Sequence, residues 1–271
     1  MRTPYELGLA GRVVLVTGGV RGVGAGISRV FDELGATVIT CARRPAPDGL
    51  RASGSSQSLP YEFHSCDVRD EESVDALIDT VVSTHGRLDV VVNNAGGAPF
   101  ALVADASHNF HRKIIELNLL SALLVSQRAN AVMQRQDEGG TIVNITSVSA
   151  SRPSPGTAAY GAAKAGLESL TRSLAVEWAP KVRVNALAAG MIRTELSEMH
   201  YGDEEGIASV GATVPLGRLA NPDEIGWTAA FLASPLSSYV TGSVLTVHGG
   251  GERPAFLDAA NVNSNENGEK E

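Results

Sequence analysis

The chain has 271 residues, of which 43% are hydrophobic, and this length suits one α/β domain with a filled core but not two full domains. Its formal net charge of −8 argues against a surface that binds phosphate backbones, so no nucleic-acid partner is expected. The N-terminus lacks the apolar core of a signal peptide, and no stretch approaches the roughly 18 apolar residues of a membrane helix, which predicts a cytoplasmic protein without membrane association.

Short β-branched runs alternate along the chain with longer segments of helical period, which is typical of a parallel sheet with helices on both faces. The predicted strands are Val13–Thr17, Ala36–Cys41, Tyr61–Cys66, Val90–Asn93, Thr141–Ile145, Val182–Leu187 and Ser243–Val247. Helices are predicted from near Gly22, at Asp70–Thr84, through the Ile114–Met133 region, at Thr157–Trp178 and at Pro222–Leu232. With right-handed crossovers, these elements predict one Rossmann-like, doubly wound α/β domain over residues 1–251, with about seven parallel strands.

Three segments interrupt this alternation. Residues 45–60 are rich in Pro, Gly and Ser, which predicts a loop with at most a short helix. Glu195–Pro215, termed here the lid segment, is predicted to be a mobile lid over the substrate. From Glu252 onward polar residues predominate, so residues 252–271 are predicted to be a disordered tail.

The first predicted strand runs into a glycine-rich turn where the first helix begins. Glycines there let the backbone approach a pyrophosphate, whose charge is stabilised by the free N–H groups and the dipole of the helix. The Gly-x3-Gly-x-Gly spacing differs from the generic Gly-x-Gly-x-x-Gly fingerprint, so a tight packing turn without a ligand is an alternative. The turn indicates a nucleotide site that includes Thr17, Gly18, Arg21, Gly22, Val23 and Gly24.

The residues after the second predicted strand favour NADP(H). A chain that binds NAD usually places an Asp or Glu about 20 residues beyond the glycines, to accept from the ribose 2′-hydroxyl. None occurs between Thr37 and Pro47; Arg43 and Arg44 follow the strand instead, and Arg21 lies in the turn. Guanidinium groups that converge there would bind a 2′-phosphate, whereas solvated surface arginines are the alternative.

Tyr160 and Lys164 lie four residues apart in a predicted helix, and therefore on the same face, with only small residues between them. A phenol with a pKa near 10 exchanges protons poorly at neutral pH, but a nearby ammonium group stabilises the phenolate and lowers that pKa. Tyr160 is thus a candidate general acid for carbonyl reduction. A surface pair without a chemical role is the alternative for an isolated Tyr-x3-Lys, so the surrounding motifs decide.

Further motifs accompany the pair in a fixed order. They are Asp67-Val68 after the third strand, Asn93-Asn94-Ala95-Gly96 after the fourth, Asn118 in Glu-Leu-Asn-Leu-Leu, and Ser147 thirteen residues before Tyr160. Together with the glycine turn, these motifs resemble the short-chain dehydrogenase/reductase family over residues 8–250, in particular its 3-oxoacyl-carrier-protein reductases.

The resemblance implies an NADP(H)-dependent oxidoreductase that acts on a small-molecule ketone or secondary alcohol. In such an enzyme Ser147 would bind the substrate oxygen, and Tyr160 would donate its proton as hydride arrives. Lys164 would hold the nicotinamide ribose and lower the pKa of Tyr160, and Asn118 would position a water that links Lys164 to solvent. Asp67 and Val68 would contact the adenine, and the cofactor cleft would be lined by Asn94, Ala95 and Gly96. Taken singly, Asn118 is equally readable as a satisfied helix amide and Asp67 as a helix cap.

The segment Asn185–Thr194 resembles the family's loop over the nicotinamide, which here would act through Gly190, Ile192 and Thr194. It departs at Ala189, where the family carries Pro, and loss of the fixed φ predicts a looser loop at a cost of about 1 kcal/mol in preorganisation. His248 stands where the family often carries Asp, near an expected subunit contact. The resemblance also implies a homotetramer built through the predicted helices Ile114–Met133 and Gly161–Trp178.

Two other functions stay open. A 3-oxoacyl-carrier-protein reductase would offer cations to an acidic carrier, and Arg135 and Lys181 are candidates, although solvated surface charges explain them more simply. A nucleotide-binding scaffold of the same fold would not need competent side chains at positions 118, 147, 160 and 164.

Cysteine and histidine usage predicts neither disulfides nor a metal site. Cys41 and Cys66, each near the end of a predicted strand, are expected to be buried free thiols. His108 and His111 lie three residues apart without a third ligand spaced nearby, so no metal is expected.

Overall fold

The computed structural model describes residues 7–44 and 61–259, which form one seven-stranded parallel sheet with the order β3-β2-β1-β4-β5-β6-β7. The doubly wound sheet predicted from the sequence is confirmed, and most strand ends differ from the prediction by one or two residues. The strands are β1 Val13–Thr17, β2 Thr37–Ala42, β3 Glu62–Ser65, β4 Val90–Asn93, β5 Gly140–Ser147, β6 Val182–Ala189 and β7 Val244–Val247.

Helices cover both faces of the sheet because alternate strand residues point to opposite sides. Leu15 on β1 belongs to a core with the helices at residues 71–85, 121–133 and 158–178, whereas Val14 and Val16 belong to a core with those at 22–33 and 222–233. The helices are α1 Gly22–Glu33, α2 Glu71–His85, α3 His108–Ile115, α4 Ser121–Met133, α5 Ala158–Trp178, α6 Ser197–Tyr201, α7 Glu204–Ala212, α8 Pro222–Ala233 and α9 Ala255–Ala259. Within the described residues, no helix has the length and apolar character needed to cross a bilayer.

Local sequence sets several helix ends. Asp70 precedes α2 and its side chain accepts from Ser73 N at 3.2 Å, so the predicted first residue of this helix is its N-cap. Gly86, with φ of 74°, ends the same helix in the left-handed conformation that glycine adopts readily. Pro222 begins α8 directly after Asn221, and the Glu224 side chain accepts from Asn221 N at 2.8 Å.

The helix predicted through Ile114–Met133 starts earlier and is divided. It begins at His108, where the Ser107 side chain accepts from Phe110 N at 3.1 Å, and a π-helical turn at Glu116–Leu120 separates α3 from α4. Asn118 lies within this turn, and its Nδ2 donates to Ile114 O at 2.9 Å. The side chain thus provides a hydrogen-bond partner for a carbonyl group of the preceding helix. π-Helical turns of this kind occur frequently at functional sites.

Two segments near the C-terminus contain helices that the sequence analysis did not predict. The lid segment holds α6 and α7. Arg193 N donates to Ala220 O at 2.8 Å, and Ala220 N donates to Met191 O at 3.0 Å. These two hydrogen bonds join the chain before the lid segment to the chain after it. The segment predicted to be a disordered tail contains the short helix α9, which begins directly after Pro254. Residues 260–271, and the loop predicted at 45–60, lie outside the described residues.

Candidate active site

A cleft of about 690 Å³ opens at the carboxyl ends of the strands, where the strand order reverses between β1 and β4. Open α/β sheets bind their ligands at such a point. Of the residues predicted for the site, Thr17 and Asn118 do not line the cleft, and the others do: Gly18, Arg21, Gly22, Val23, Gly24, Arg43, Arg44, Asp67, Val68, Asn94, Ala95, Gly96, Ser147, Tyr160, Lys164, Gly190, Ile192 and Thr194.

The glycine turn presents bare backbone to this cleft. Gly18 has φ of 65°, a conformation that residues with a side chain rarely adopt. A Cβ atom at Gly24 would lie 2.2 Å from Gly18 O and 2.5 Å from Asn94 Nδ2, so no side chain fits there. Gly18, Gly22 and Gly24 leave stretches of backbone without a side chain at the start of α1, which suits a phosphate group that the helix N-terminus attracts. The residues present therefore fit the diphosphate of a dinucleotide.

Thr17 lies behind the turn and joins the ends of β1 and β4. Its Oγ1 accepts from Asn94 N and Ala95 N, both at 3.0 Å, and Asn94 Nδ2 donates back to Thr17 O at 2.9 Å. Thr17 is only 2% exposed. The structure thus gives Thr17 a positioning role, because its hydroxyl is occupied by the segment that carries Asn94.

Charged side chains gather at the end of the cleft formed by β2 and β3. Arg43 and Arg44 follow β2, and both are exposed, as is Arg21 in the glycine turn. Asp67 follows β3 and accepts from Arg69 Nε at 2.9 Å, and this hydrogen bond, with a smaller contribution from Arg43, lowers the pKa of Asp67. The Asp67 carboxylate is therefore neutralised by a neighbouring arginine, and this end of the cleft has an excess of positive charge.

Ser147, Tyr160 and Lys164 meet at the opposite end of the cleft. Ser147 is the last residue of β5, and Tyr160 in the first turn of α5 hydrogen-bonds with it. Lys164 follows one turn later, with Nζ 5.6 Å from the centre of the Tyr160 ring. A Cβ atom at Gly161 would lie 2.7 Å from Ser149 O, so the small residue after Tyr160 lets α5 approach the segment that carries Ser147.

Burial controls the protonation of both helix residues. It raises the pKa of Tyr160, and the hydrogen bond with Ser147 offsets this only in part, so Tyr160 is a neutral phenol at neutral pH. It lowers the pKa of Lys164 to about 8, and Lys164 Nζ donates to Ile145 O at 2.8 Å. That Lys164 lowers the pKa of Tyr160 stays a prediction, because the upward shift is set by burial of the phenol and Lys164 Nζ lies 5.6 Å from the centre of its ring.

Asn118 faces Lys164 across the backbone of Gly96. A Cβ atom at Gly96 would lie 2.7 Å from Asn118 Oδ1 and 3.2 Å from Lys164 Nζ. Asn118 Oδ1 accepts from Gly97 N at 2.8 Å, and its Nδ2 donates to Gly97 O at 2.9 Å. Asn118 therefore braces the segment after β4 against the π-helical turn, directly beside the buried ammonium group.

The loop after β6 is held from both sides. Gly190 N donates to Val247 O at 2.9 Å, and a Cβ atom at Gly190 would lie 2.7 Å from the Cα atom of His248. His248, which the sequence analysis related to a subunit contact, thus packs directly behind this loop. Farther along, Thr194 N donates to Ser197 Oγ at 2.9 Å, and Leu196 N donates to Thr194 Oγ1 at 3.3 Å, which fixes the start of α6.

Some cleft residues were not predicted from the sequence. Glu195 lines the cleft, and its Oε2 accepts from Gly22 N at 3.2 Å. Ile145 contributes only its carbonyl oxygen, as the acceptor for Lys164. A backbone acceptor leaves no signal in the sequence, and the acidic residue beside Thr194 belongs to none of the motifs.

Arg135 and Lys181 lie away from the cleft. Lys181 immediately precedes β6, and its Nζ donates to Gln136 O at 2.6 Å, whereas Ser147 stands at the opposite end of the neighbouring strand. These two cations therefore lie at the amino-terminal edge of the sheet and do not flank the mouth of the cleft.

Comparison with known proteins gives matches over most of the chain. A family model described as enoyl-(acyl carrier protein) reductase matches residues 18–252. An uncharacterized short-chain type dehydrogenase/reductase of Sinorhizobium fredii is 36% identical over 244 residues, which are 89% of this chain and 43% of that protein. The 3-oxoacyl-(acyl-carrier-protein) reductase of Vibrio cholerae is 36% identical over 250 residues, which are 90% of this chain and 98% of that protein. The ligand-free aldohexose dehydrogenase of Thermoplasma acidophilum superposes with a TM-score of 0.80 at 33% identity, over 89% of this chain and 94% of that one.

Proposed function

Because the chain belongs to the short-chain dehydrogenase/reductase family, whose members use nicotinamide cofactors, we propose that it transfers hydride between NADP(H) and a ketone or secondary alcohol. One observation carries the proposal. Ser147, Tyr160 and Lys164 line the same cleft as a glycine turn that fits a dinucleotide diphosphate. A scaffold that only binds nucleotides would not need a hydroxyl, a phenol and a buried ammonium group together.

The protein's own residues handle the substrate oxygen and its proton. The Ser147 hydroxyl donates a hydrogen bond to the substrate oxygen, and Tyr160, neutral at neutral pH, donates the proton that a carbonyl oxygen needs on reduction. The Lys164 ammonium group, protonated below about pH 8, stabilises the phenolate that Tyr160 leaves behind. Bound NADP(H) supplies or accepts the hydride. In the oxidative direction Tyr160 takes up the proton of the alcohol.

The preference for NADP(H) over NAD(H) is supported by charge. Arg21, Arg43 and Arg44 stand at the end of the cleft where a ribose 2′-phosphate would be bound, and the sequence has no Asp or Glu between Thr37 and Pro47. Asp67, the carboxylate beside them, is paired with Arg69 and so repels a phosphate less.

Reduction of a 3-oxoacyl-carrier-protein is a narrower candidate, supported by the Vibrio cholerae relative; the family model, described as an enoyl-(acyl carrier protein) reductase, shares with it only the carrier. Arg135 and Lys181 do not support it, because they lie at the far edge of the sheet. We therefore propose a small-molecule carbonyl or alcohol as the substrate, and a cytoplasmic homotetramer as the working form.

Replacement of Tyr160 by Phe tests the proposal. We expect Tyr160→Phe to lower turnover by about 100-fold to 10,000-fold, because general acid catalysis contributes that much. The Kd for NADPH should stay within about twofold of the wild-type value, since the hydroxyl is removed without a change in charge. Turnover is measured by NADPH absorbance with a panel of ketones and alcohols that begins with a 3-oxoacyl thioester, and Kd by calorimetry with NADPH and NADH in parallel.

Tyr239→Phe is the matched control, because Tyr239 is fully exposed. An active Tyr160→Phe variant would contradict the role of Tyr160 as the acid. Wild-type protein that binds NADH as tightly as NADPH would contradict the cofactor preference alone.

A further inference from the structure

Glu195 reaches from the start of the lid segment into the glycine turn. Its Oε2 accepts a hydrogen bond from Gly22 N at 3.2 Å, although 173 residues separate the two in the chain. Both residues line the cleft that holds Ser147 and Tyr160. The contact therefore joins the substrate side of the cleft to its nucleotide side.

The Gly22 amide is available because α1 has no side-chain cap of its own. Gly22 is the first residue of the helix, and Arg21 before it makes no side-chain capping bond. The first amides of a helix have no partner within the helix, and the positive end of its dipole favours an anion there. The Glu195 carboxylate thus supplies, from a distant part of the chain, the anion that this helix start attracts.

A cofactor diphosphate needs the same position. Gly18, Gly22 and Gly24 line the cleft without side chains, so a phosphate can approach the backbone at the start of α1. We propose that Glu195 competes with the diphosphate of the nicotinamide cofactor for the N–H of Gly22, and thereby weakens cofactor binding and speeds its release. The inference rests on the proposed function only in that the ligand is a nicotinamide dinucleotide.

The Glu195 carboxylate can move away from Gly22 N without unfolding the lid segment. Backbone or hydroxyl hydrogen bonds hold Thr194 and Leu196 on either side of Glu195, at 2.9 Å and 3.3 Å, so the main chain is fixed there. The Glu195 side chain itself is exposed. Rotation about its own bonds moves the negative charge into solvent, where water and salt screen it.

Glu195→Gln tests this competition, because glutamine keeps the shape and an acceptor oxygen but removes the charge. We expect the Kd of NADPH to fall by about threefold to tenfold at low salt, the size that one charge near a helix N-terminus produces. The gain should shrink as salt is added. Adenosine 2′-monophosphate, which has the 2′-phosphate but no diphosphate, should bind equally well to both proteins. Calorimetric titration measures all of these values.

Glu198→Gln is the matched control, because Glu198 is exposed, lies on α6 three residues farther along and acts electrostatically on Arg193. Its NADPH affinity should equal that of the wild type. An unchanged or weaker NADPH affinity in Glu195→Gln overturns the proposal. An equal gain in Glu198→Gln, or a gain for adenosine 2′-monophosphate, also overturns it, because either would reveal a general effect of charge or a loosened site.

The experiment distinguishes a failure of the proposed NADP(H) preference from a failure of the proposed competition by Glu195. If the wild type binds NADH in place of NADPH, the same comparison is made with NADH and with adenosine, which has no phosphate group, because both dinucleotides contain the diphosphate. A tighter Kd of NADH in Glu195→Gln would then still support the competition, and an unchanged Kd would refute it.

Discussion

At the scale of single residues, Lys164 shows how the proposed chemistry opposes stability. Its side chain is 3% exposed, and burial lowers its pKa to about 8. Its one hydrogen bond within the described residues is to Ile145 O. A buried charge with so few partners costs free energy of folding, which proteins tolerate mainly at functional sites.

Lys164→Met should therefore stabilise the protein while it removes turnover. A fall in pKa from 10.5 to about 8 corresponds to about 3 kcal/mol, and the unpaired Ile145 carbonyl offsets about 1 kcal/mol, so a gain of about 2 kcal/mol is expected at pH 7. In the wild type, the cost in folding free energy of burying the charged Lys164 is complete below pH 8, where both the folded and the unfolded chain carry the proton. It disappears as pH rises from 8 to 10.5, because there the folded protein has released the proton that the unfolded chain still holds.

Urea unfolding at pH 7 and at pH 10 measures this difference. Lys113→Met, at an exposed position on α3, is the control and should show no comparable dependence on pH. A stability gain of Lys164→Met that is the same at both pH values would argue against a buried charge as its source.

At the scale of elements, α1 and α8 approach each other through glycine. A Cβ atom at Gly26 on α1 would lie 2.4 Å from Pro222 Cβ, and one at Gly226 on α8 would lie 2.9 Å from Gly26 O. The position of α1 matters for the site because the glycine turn leads into it. The close contact of these helices therefore holds the nucleotide side of the cleft.

Gly26→Ala should push the two helices apart. We expect it to lower the free energy of unfolding by about 1 to 3 kcal/mol, the usual cost of overpacking, even though alanine is the better helix former. Gly166→Ala on α5 is the control, because its Cβ atom would meet only the end of the Leu119 side chain, at 3.1 Å. Urea unfolding of both variants gives the comparison, and a Gly26→Ala variant as stable as the wild type would contradict the close packing.

The elements also show where the sequence was sufficient and where it was not. Strands such as β1 and β4 were predicted to the residue because buried parallel strands are continuous apolar runs. The π-helical turn was not predicted, because Asn118 shapes it by bonding to Gly97, 21 residues away in the chain. Periodicity reports neighbours three or four residues apart and cannot reveal such a contact.

Some features of the candidate site were likewise predicted from the sequence, and others were not. Residues that belong to motifs, such as Tyr160 and Lys164, were placed in one cleft as predicted. The rise that burial causes in the pKa of Tyr160 could not be predicted from the sequence, because only the packed structure reveals burial. Glu195 was missed because its partner lies 173 residues away.

At the scale of the whole molecule, large apolar side chains remain on the surface of a single chain. Val176 on α5 is 81% exposed, Leu120 in the π-helical turn is 49% exposed and Trp227 on α8 is 45% exposed. Exposed apolar groups on several helices favour association. Val176 and Leu120 lie on the helices through which the resemblance implies that subunits meet, whereas Trp227 lies on the opposite face of the sheet.

We expect a mass in solution of about four times 28.2 kDa by light scattering, and a smaller assembly for Val176→Glu, because a charge would then be buried in the contact. Met199→Glu, at a 75% exposed position on α6, is the control and should keep the wild-type mass. A wild-type monomer would contradict the homotetramer.

The chain between Met191 and Ala220 is held together at its two ends, which affects how its sequence can vary. Two backbone hydrogen bonds, at 2.8 Å and 3.0 Å, bring the ends of that segment together independently of what lies between them. An insertion whose ends already meet can be exchanged at a small entropic cost to the rest of the fold. Residues 198–219 thus form an exchangeable unit, and changes there can alter substrate selection while Ser197 keeps its hydrogen bond with Thr194 and the nucleotide cleft is unchanged.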